Sequence, residues 1–221
     1  MLLHLVVLAS LVPGVFWLWY FLRHDRFEQE PVWEIVKCLF SGALAVLPAI
    51  ILEYPFRSVL QSPSSLLTRF LLSFFVIGLG EELCKFLALY LTVYHSSEFN
   101  EPVDGIMYAV AAAIGFSIVE NIMYISAFGF SVAPLRAVVA SMAHTSFTGV
   151  LGYFFGCAKF SATPYKLLGL GLGTAAFLHG LYDFILIGQI GSPLMAILLV
   201  VVFHYVLLKA IQKALALSPF S

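Results

Sequence analysis

Residues 67–94 read LTRFLLSFFVIGLGEELCKFLALYLTVY, and the fold turns on how that stretch is interpreted. Apart from Arg69 near one end, it is uncharged and mainly apolar except for Glu81, Glu82 and Lys85 in its middle. A helix crosses a bilayer with ~20 mainly apolar residues at ~1.5 Å rise each, so this segment is long enough to span. An ionised side chain at the bilayer centre costs about 2.5–3.5 kcal/mol even on a lenient scale. A lone helix in lipid would not carry three of them, so the stretch predicts neighbouring helices that turn polar groups toward it.

Working outward, the same template fits about seven times, over residues 2–22, 32–53, 67–94, 104–128, 134–158, 164–188 and 193–215. The breaks carry turn or charge signals at Arg23–Pro31, Pro55–Pro63, His95–Pro102, Gly129–Pro134, Ser161–Pro164 and Gly188–Pro193. Composition agrees. Of 221 residues 62% are apolar and 10% charged, and the mean hydropathy is +1.01, which makes lipid the solvent. With a net charge of −1 and no basic run, nothing points to a nucleic-acid partner. The expectation is an all-α, polytopic helix bundle in the cell membrane, forming a single domain over residues 1–221. Residues 1–22 lack a basic leader and a small-residue cleavage site, and read as a retained first helix.

Basic residues near helix ends set the orientation. Arg23, Arg26, Lys159, Lys166, Lys209 and Lys213 fall on one side, and Arg57, Arg69 and Arg136 on the other, which predicts the N-terminus outside and the C-terminus inside. Cys38, Cys84 and Cys157 show no paired spacing and read as buried spectator thiols. Gly152 with Gly156, and Gly169 with Gly173, predict close helix approach. The segment from Glu98 to Asp104 reads as a solvated turn.

Further ionisable residues lie within the predicted spans: Glu120 beside Asn121, His144, and His179 with Asp183. Helical rise puts Glu81 ~16 Å from Phe70, Glu120 ~12 Å from Phe128, His144 ~15 Å from Pro134 and His179 ~13 Å from Gly188. Four antiparallel helices thus bring their polar groups to one layer, as a single site requires. Spacing predicts that Lys85 neutralises one of Glu81 and Glu82 but not both, that Asp183 orients His179 one turn away, and that Phe116 shares a face with Glu120. Against this stands the plainer reading that each is a satisfied interhelical contact; their common depth favours a site.

The strings DRFEQEP at Asp25–Pro31, Glu81-Glu82-x-x-Lys85, Asp104-Gly105 leading to Phe116-x-x-x-Glu120-Asn121, His144-x-x-Phe147 and His179-x-x-x-Asp183 resemble the PrsW family of intramembrane proteases. That family is similar to the CAAX prenyl-protein endopeptidases, which carry a double glutamate and a basic residue, then FxxxH, then HxxxN or HxxxD. Here Glu120 stands where those enzymes have histidine, and the basic residue is one position nearer the glutamates. The resemblance implies peptide-bond hydrolysis, with a membrane-anchored substrate such as an anti-sigma factor cut at its first site.

The residues needed for hydrolysis are present. Glu81 or Glu82 is the expected base, Lys85 holds the other glutamate ionised, and His179, oriented by Asp183, assists the oxyanion or the leaving amine. Glu120 and His144 complete the water site. A zinc ion held by Glu81, Glu120, His144 and His179 is the competing arrangement, placed second because there is no HExxH pair. Three further classes are weaker: a serine enzyme using Ser117, Ser141 or Ser146, a proton-coupled transporter using the same midplane acids, and a noncatalytic scaffold.

Overall fold

Long apolar runs in lipid have one local solution, because every backbone N–H and C=O must be paired within its own segment. The computed structural model describes residues 2–62 and 64–220 and is helical accordingly. The principal helices are α1 (Leu2–Leu22), α2 (Val32–Leu44), α3 (Val46–Glu53), α4 (Leu79–Val93), α5 (Pro102–Phe128), α6 (Ser141–Lys159), α7 (Pro164–Gly188) and α8 (Pro193–Leu215). Among the described residues six helical segments are long and apolar enough to cross a membrane. The seventh predicted span is helical from Leu66 to Val93, passing from α through a π-helical stretch, Leu72–Gly78, into α4, but its charges keep it out of that set.

Two predicted features of the N-terminal half differ. The span over 32–53 is divided at Ala45, because Pro48 has no N–H for the Leu44 carbonyl. The break expected from Pro55 is a 3-10 turn, Tyr54–Phe56, that leads into a helix to Gln61; Pro at a turn's start loses no hydrogen bond. Pro63, where that break was expected to end, lies outside the described residues.

Helix α5 is the axis of the bundle. From Pro102 to Ser117 every residue is buried, and α1, α2, α4, α6 and α8 all pack on it. Its approach to α6 depends on small residues. A Cβ at Gly156 would sit 2.0 Å from the Pro102 carbonyl oxygen, and one at Gly105 2.5 Å from the Gly156 nitrogen. The Gly152/Gly156 expectation therefore holds. A Cβ at Gly169 or Gly173 would meet nothing within 4 Å, so that pair does not mediate packing among the described residues. The outer faces of α1 and α8 carry exposed Leu8, Val12, Leu198 and Val202, an inside-out arrangement that lipid permits and water does not.

The turn before α5 is not solvated as its composition suggested. Glu101 and Asp104 are fully buried, and the Asp104 carboxylate accepts the backbone N–H groups of Asn100 and Glu101, each at 2.8 Å, capping the helix. The preceding 23–31 loop folds against this cap: Tyr108 donates its hydroxyl to Glu30, and Asp25 is buried. Burial, reinforced by the charges of Glu101 and Asp104, raises the Asp25 carboxyl from 3.8 to about 7. Burial and Asp104 push Glu30 upward to about 11. A carboxyl whose folded pKa exceeds its unfolded one binds its proton more tightly in the native state, so stability is full below the unfolded value and declines as pH rises through the folded one. The melting temperature of purified protein in detergent should therefore fall between pH 5 and pH 8, and Asp25→Asn should flatten the decline. An identical pH slope in the variant would remove Asp25 as its source.

Candidate active site

The polar groups of α4, α5, α6 and α7 meet inside the bundle. Close packing brings this about: a Cβ on Gly78 would lie 2.7 Å from the Gly180 nitrogen, so the backbones leading into α4 and through α7 run nearly in contact. Glu82 is thereby laid against His179. Its Oε1 accepts from Lys85 Nζ at 2.9 Å and from His179 Nδ1 at 2.9 Å, and its Oε2 accepts from Thr148 Oγ1 at 2.8 Å. Glu82 is completely buried, and its oxygens are taken up by the protein.

Lys85 is equally buried and spends all three N–H groups. They reach Glu81 Oε2 at 3.2 Å, Glu82 Oε1 at 2.9 Å and His144 Nδ1 at 3.0 Å, and the ammonium stands 4.1 Å from the centre of the Phe116 ring. The expectation that Lys85 would serve one carboxylate is thus corrected. Because i,i+3 and i,i+4 neighbours flank it on one face, a flexible four-carbon stem bridges both.

His179 places Nε2 3.7 Å from Glu81 Oε2 and 3.4 Å from Asp183 Oδ2. The carboxylate that hydrogen-bonds and orients its ring is Glu82, on another helix, rather than Asp183 one turn away. The His144 and His179 rings lie edge to face with centroids 5.1 Å apart. Glu120 Oε2 accepts from His144 Nε2 at 2.7 Å and from Arg136 Nη2 at 2.7 Å.

A cavity of about 350 Å³ opens beside this network, lined by Glu81, Glu120, His144, His179 and Asp183 together with the predicted wall residue Phe116. Glu81 is therefore the glutamate of the pair that faces open space. Sequence reading missed Glu53, Tyr124, Arg136 and Tyr182, which also line it, and Thr148. Arg136 was read only as a loop charge. Thr148 sits one turn beyond His144 on the same face, a spacing that a search around the histidine would have noticed. Ser117 and Ser141 bond to each other at 2.9 Å and to Asn121; none of Ser117, Ser141 and Ser146 bonds a histidine among the described residues.

The donors suit a metal. Single ligand atoms of Glu81, His144 and His179 lie within 4.8 Å of one another, and a carboxylate with two imidazoles is a zinc-type set with a position left for water; since His144 Nδ1 meets Lys85 and Nε2 meets Glu120, an ion on His144 would displace one of these partners. Glu120, expected as a fourth ligand, is outside this group, its oxygen being held between Arg136 and His144.

The fold and site together define a multi-pass membrane protein with acids and imidazoles gathered at an internal opening. Residues 30–208 match the model of the PrsW family, described as intramembrane metalloproteases. The chain is 34% identical over 183 residues to Protease PrsW of Bacillus subtilis, covering 82% of each chain. It is 33% identical to that of Geobacillus kaustophilus, covering 83% of this chain and 80% of the relative. With that of Clostridioides difficile it shares 32% identity, covering 94% and 87%. This chain belongs to the PrsW family of intramembrane proteases. No solved structure matches it.

Thr148→Val keeps the shape but removes the donor to Glu82 Oε2, stranding a buried acceptor. A loss of about 1–3 kcal/mol is expected, read as a lower denaturation midpoint of the purified protein.

Proposed function

We infer that the cavity hydrolyses a peptide bond of a membrane-anchored protein, with Glu81 as the group that activates water. The observation that carries this reading is the meeting of Glu81, His144 and His179, from three helices, at the edge of a 350 Å³ opening. The saturated hydrogen bonds of Glu82 favour Glu81 over it as the base. The part of Glu82 is to fix His179 and Lys85.

Glu81 accepts a proton from the attacking water as oxygen closes on the scissile carbonyl carbon. Lys85, close to Glu81 Oε2, steadies the carboxylate's geometry. His179 Nε2, between Glu81 and Asp183, carries the proton onward to the leaving amine when the carbon–nitrogen bond breaks. His144, whose ring stands at 85° to that of His179, closes the other side of the water position. A zinc ion held by Glu81, His144 and His179 would supply Lewis acidity toward the carbonyl and a more acidic water; the closeness of those three ligand atoms supports this second reading. Family resemblance supports an anti-sigma factor as the substrate, cut at the first site of regulated proteolysis.

The test uses purified protein in liposomes with single-span peptides, cleavage being followed by mass spectrometry. Glu81→Gln and His179→Ala should each lower cleavage by about 10²–10⁴-fold. Wild-type cleavage in both variants would remove these residues from the mechanism. Metal analysis with chelation separates the two readings: full activity in a metal-free preparation leaves Glu81 as base, whereas loss reversed by zinc assigns Glu81, His144 and His179 as ligands.

A further inference from the structure

Glu120 is shared between two groups of the segment that runs into α6, Arg136 and His144, and both touch the same oxygen at 2.7 Å. In an uninterrupted α-helix this would not occur. Eight positions at ~100° each come to ~800°, leaving the two side chains ~80° apart around the axis. Residues Arg136–Ala140 instead form a π-helical turn, in which the Ser141 N–H reaches the Arg136 carbonyl. Such a turn absorbs one extra residue. Seven effective steps give ~700°, within ~20° of two full turns, and put Arg136 on the face of His144.

The rest of Arg136 is held just as firmly. Its Nε donates to Asn121 Oδ1 at 2.7 Å, and its guanidinium lies 3.8 Å from the centre of the Tyr124 ring. Asn121 is fixed in turn by Ser141 at 3.1 Å. Beyond Glu120 the chain of contacts runs to the site. Lys85 has only donors, and one of them points at His144 Nδ1, so that nitrogen must offer a lone pair and the ring hydrogen must sit on Nε2. Nε2 needs an acceptor, and Glu120 Oε2 is that acceptor, aimed by Arg136.

We propose that Arg136, swung onto the His144 face by the π-helical turn, is a positioning residue that acts through Glu120 to set the ring orientation and tautomer of His144. Its bearing on turnover rests on the metal-free form of the hydrolytic reading above, since zinc on His144 would take one of the two ring nitrogens, whereas its bearing on His144 rests on these contacts alone. Loss of the guanidinium leaves Glu120 free to swing and His144 free to place its hydrogen toward Lys85, where donor would face donor.

The experiment uses full-length protein in liposomes, selectively labelled with ¹⁵N-histidine, and the peptide assay described above. In wild type the His144 signals should report hydrogen on Nε2. Arg136→Gln should show a mixed or reversed tautomer and a fall in kcat of about 10–100-fold with KM unchanged. Added guanidinium ion should restore both, and Arg136→Lys should restore them only in part, because an ammonium lacks the two-pronged fork. Insertion of one alanine after Val138, which makes eight effective steps and turns Arg136 ~80° off the His144 face while keeping the arginine, should reproduce the Arg136→Gln result and carries the test if that variant fails to fold. Unchanged His144 signals in folded Arg136→Gln or in the insertion variant would overturn the proposal, whatever the activity. If wild type cleaves no peptide yet the signals shift as described, the positioning role stands and the hydrolytic reading fails.

Discussion

One buried ammonium organises the interior. Lys85 is sealed from solvent and donates to two carboxylates of its own helix and to an imidazole of another. In a low-dielectric surrounding an unpaired charge costs several kcal/mol, and removing one partner of a buried pair costs about 3–5 kcal/mol. Each group in the cluster therefore constrains the next. Glu82 needs Lys85, His179 and Thr148 to be satisfied; Lys85 in turn needs His144 to present a lone pair. Helices in lipid gain little from apolar contact with one another, since lipid tails are as apolar as leucine. This polar cluster and the glycine contacts are what give the bundle a particular arrangement.

The cluster divides into a saturated half and an open half. Glu82, Lys85 and Thr148 have every strong donor or acceptor occupied. Glu81, His179 Nε2 and Asp183 border the cavity with capacity to spare, and Asp183 Oδ2 has no hydrogen-bond partner among the described residues. Adjacent residues of one motif thus take opposite parts, because successive positions on a helix point ~100° apart. Glu82 faces α6 and α7, and Glu81 faces the opening. Both π-helical stretches, Leu72–Gly78 and Arg136–Ala140, occur within about a turn of groups at this opening, in keeping with the tendency of π turns to accompany functional sites.

The sequence carried much of this architecture. Hydropathy and length located the spans, since the bilayer fixes both. Helical rise placed Glu81, Glu120, His144 and His179 at one depth, because depth depends only on position along a straight rod. The family was legible as well, from five short motifs, and the comparisons bear out that family. Legibility failed where backbone geometry departs from the regular rod. The division at Ala45, the π turns and the burial of Glu101 and Asp104 are responses to neighbouring helices or to a single proline.

The sequence by itself therefore determined that this chain lives in lipid as a multi-pass helix bundle, and which residues share a level. Only the tertiary structure decided which of the two glutamates faces the cavity, that Glu82 rather than Asp183 orients His179, and that Arg136 joins the site at all. The physical reason is that depth is a one-dimensional property, set by residue number and rise. Partnership is azimuthal: it depends on how each helix is rotated against the others, and that rotation is fixed by close glycine contacts and π turns on several segments at once.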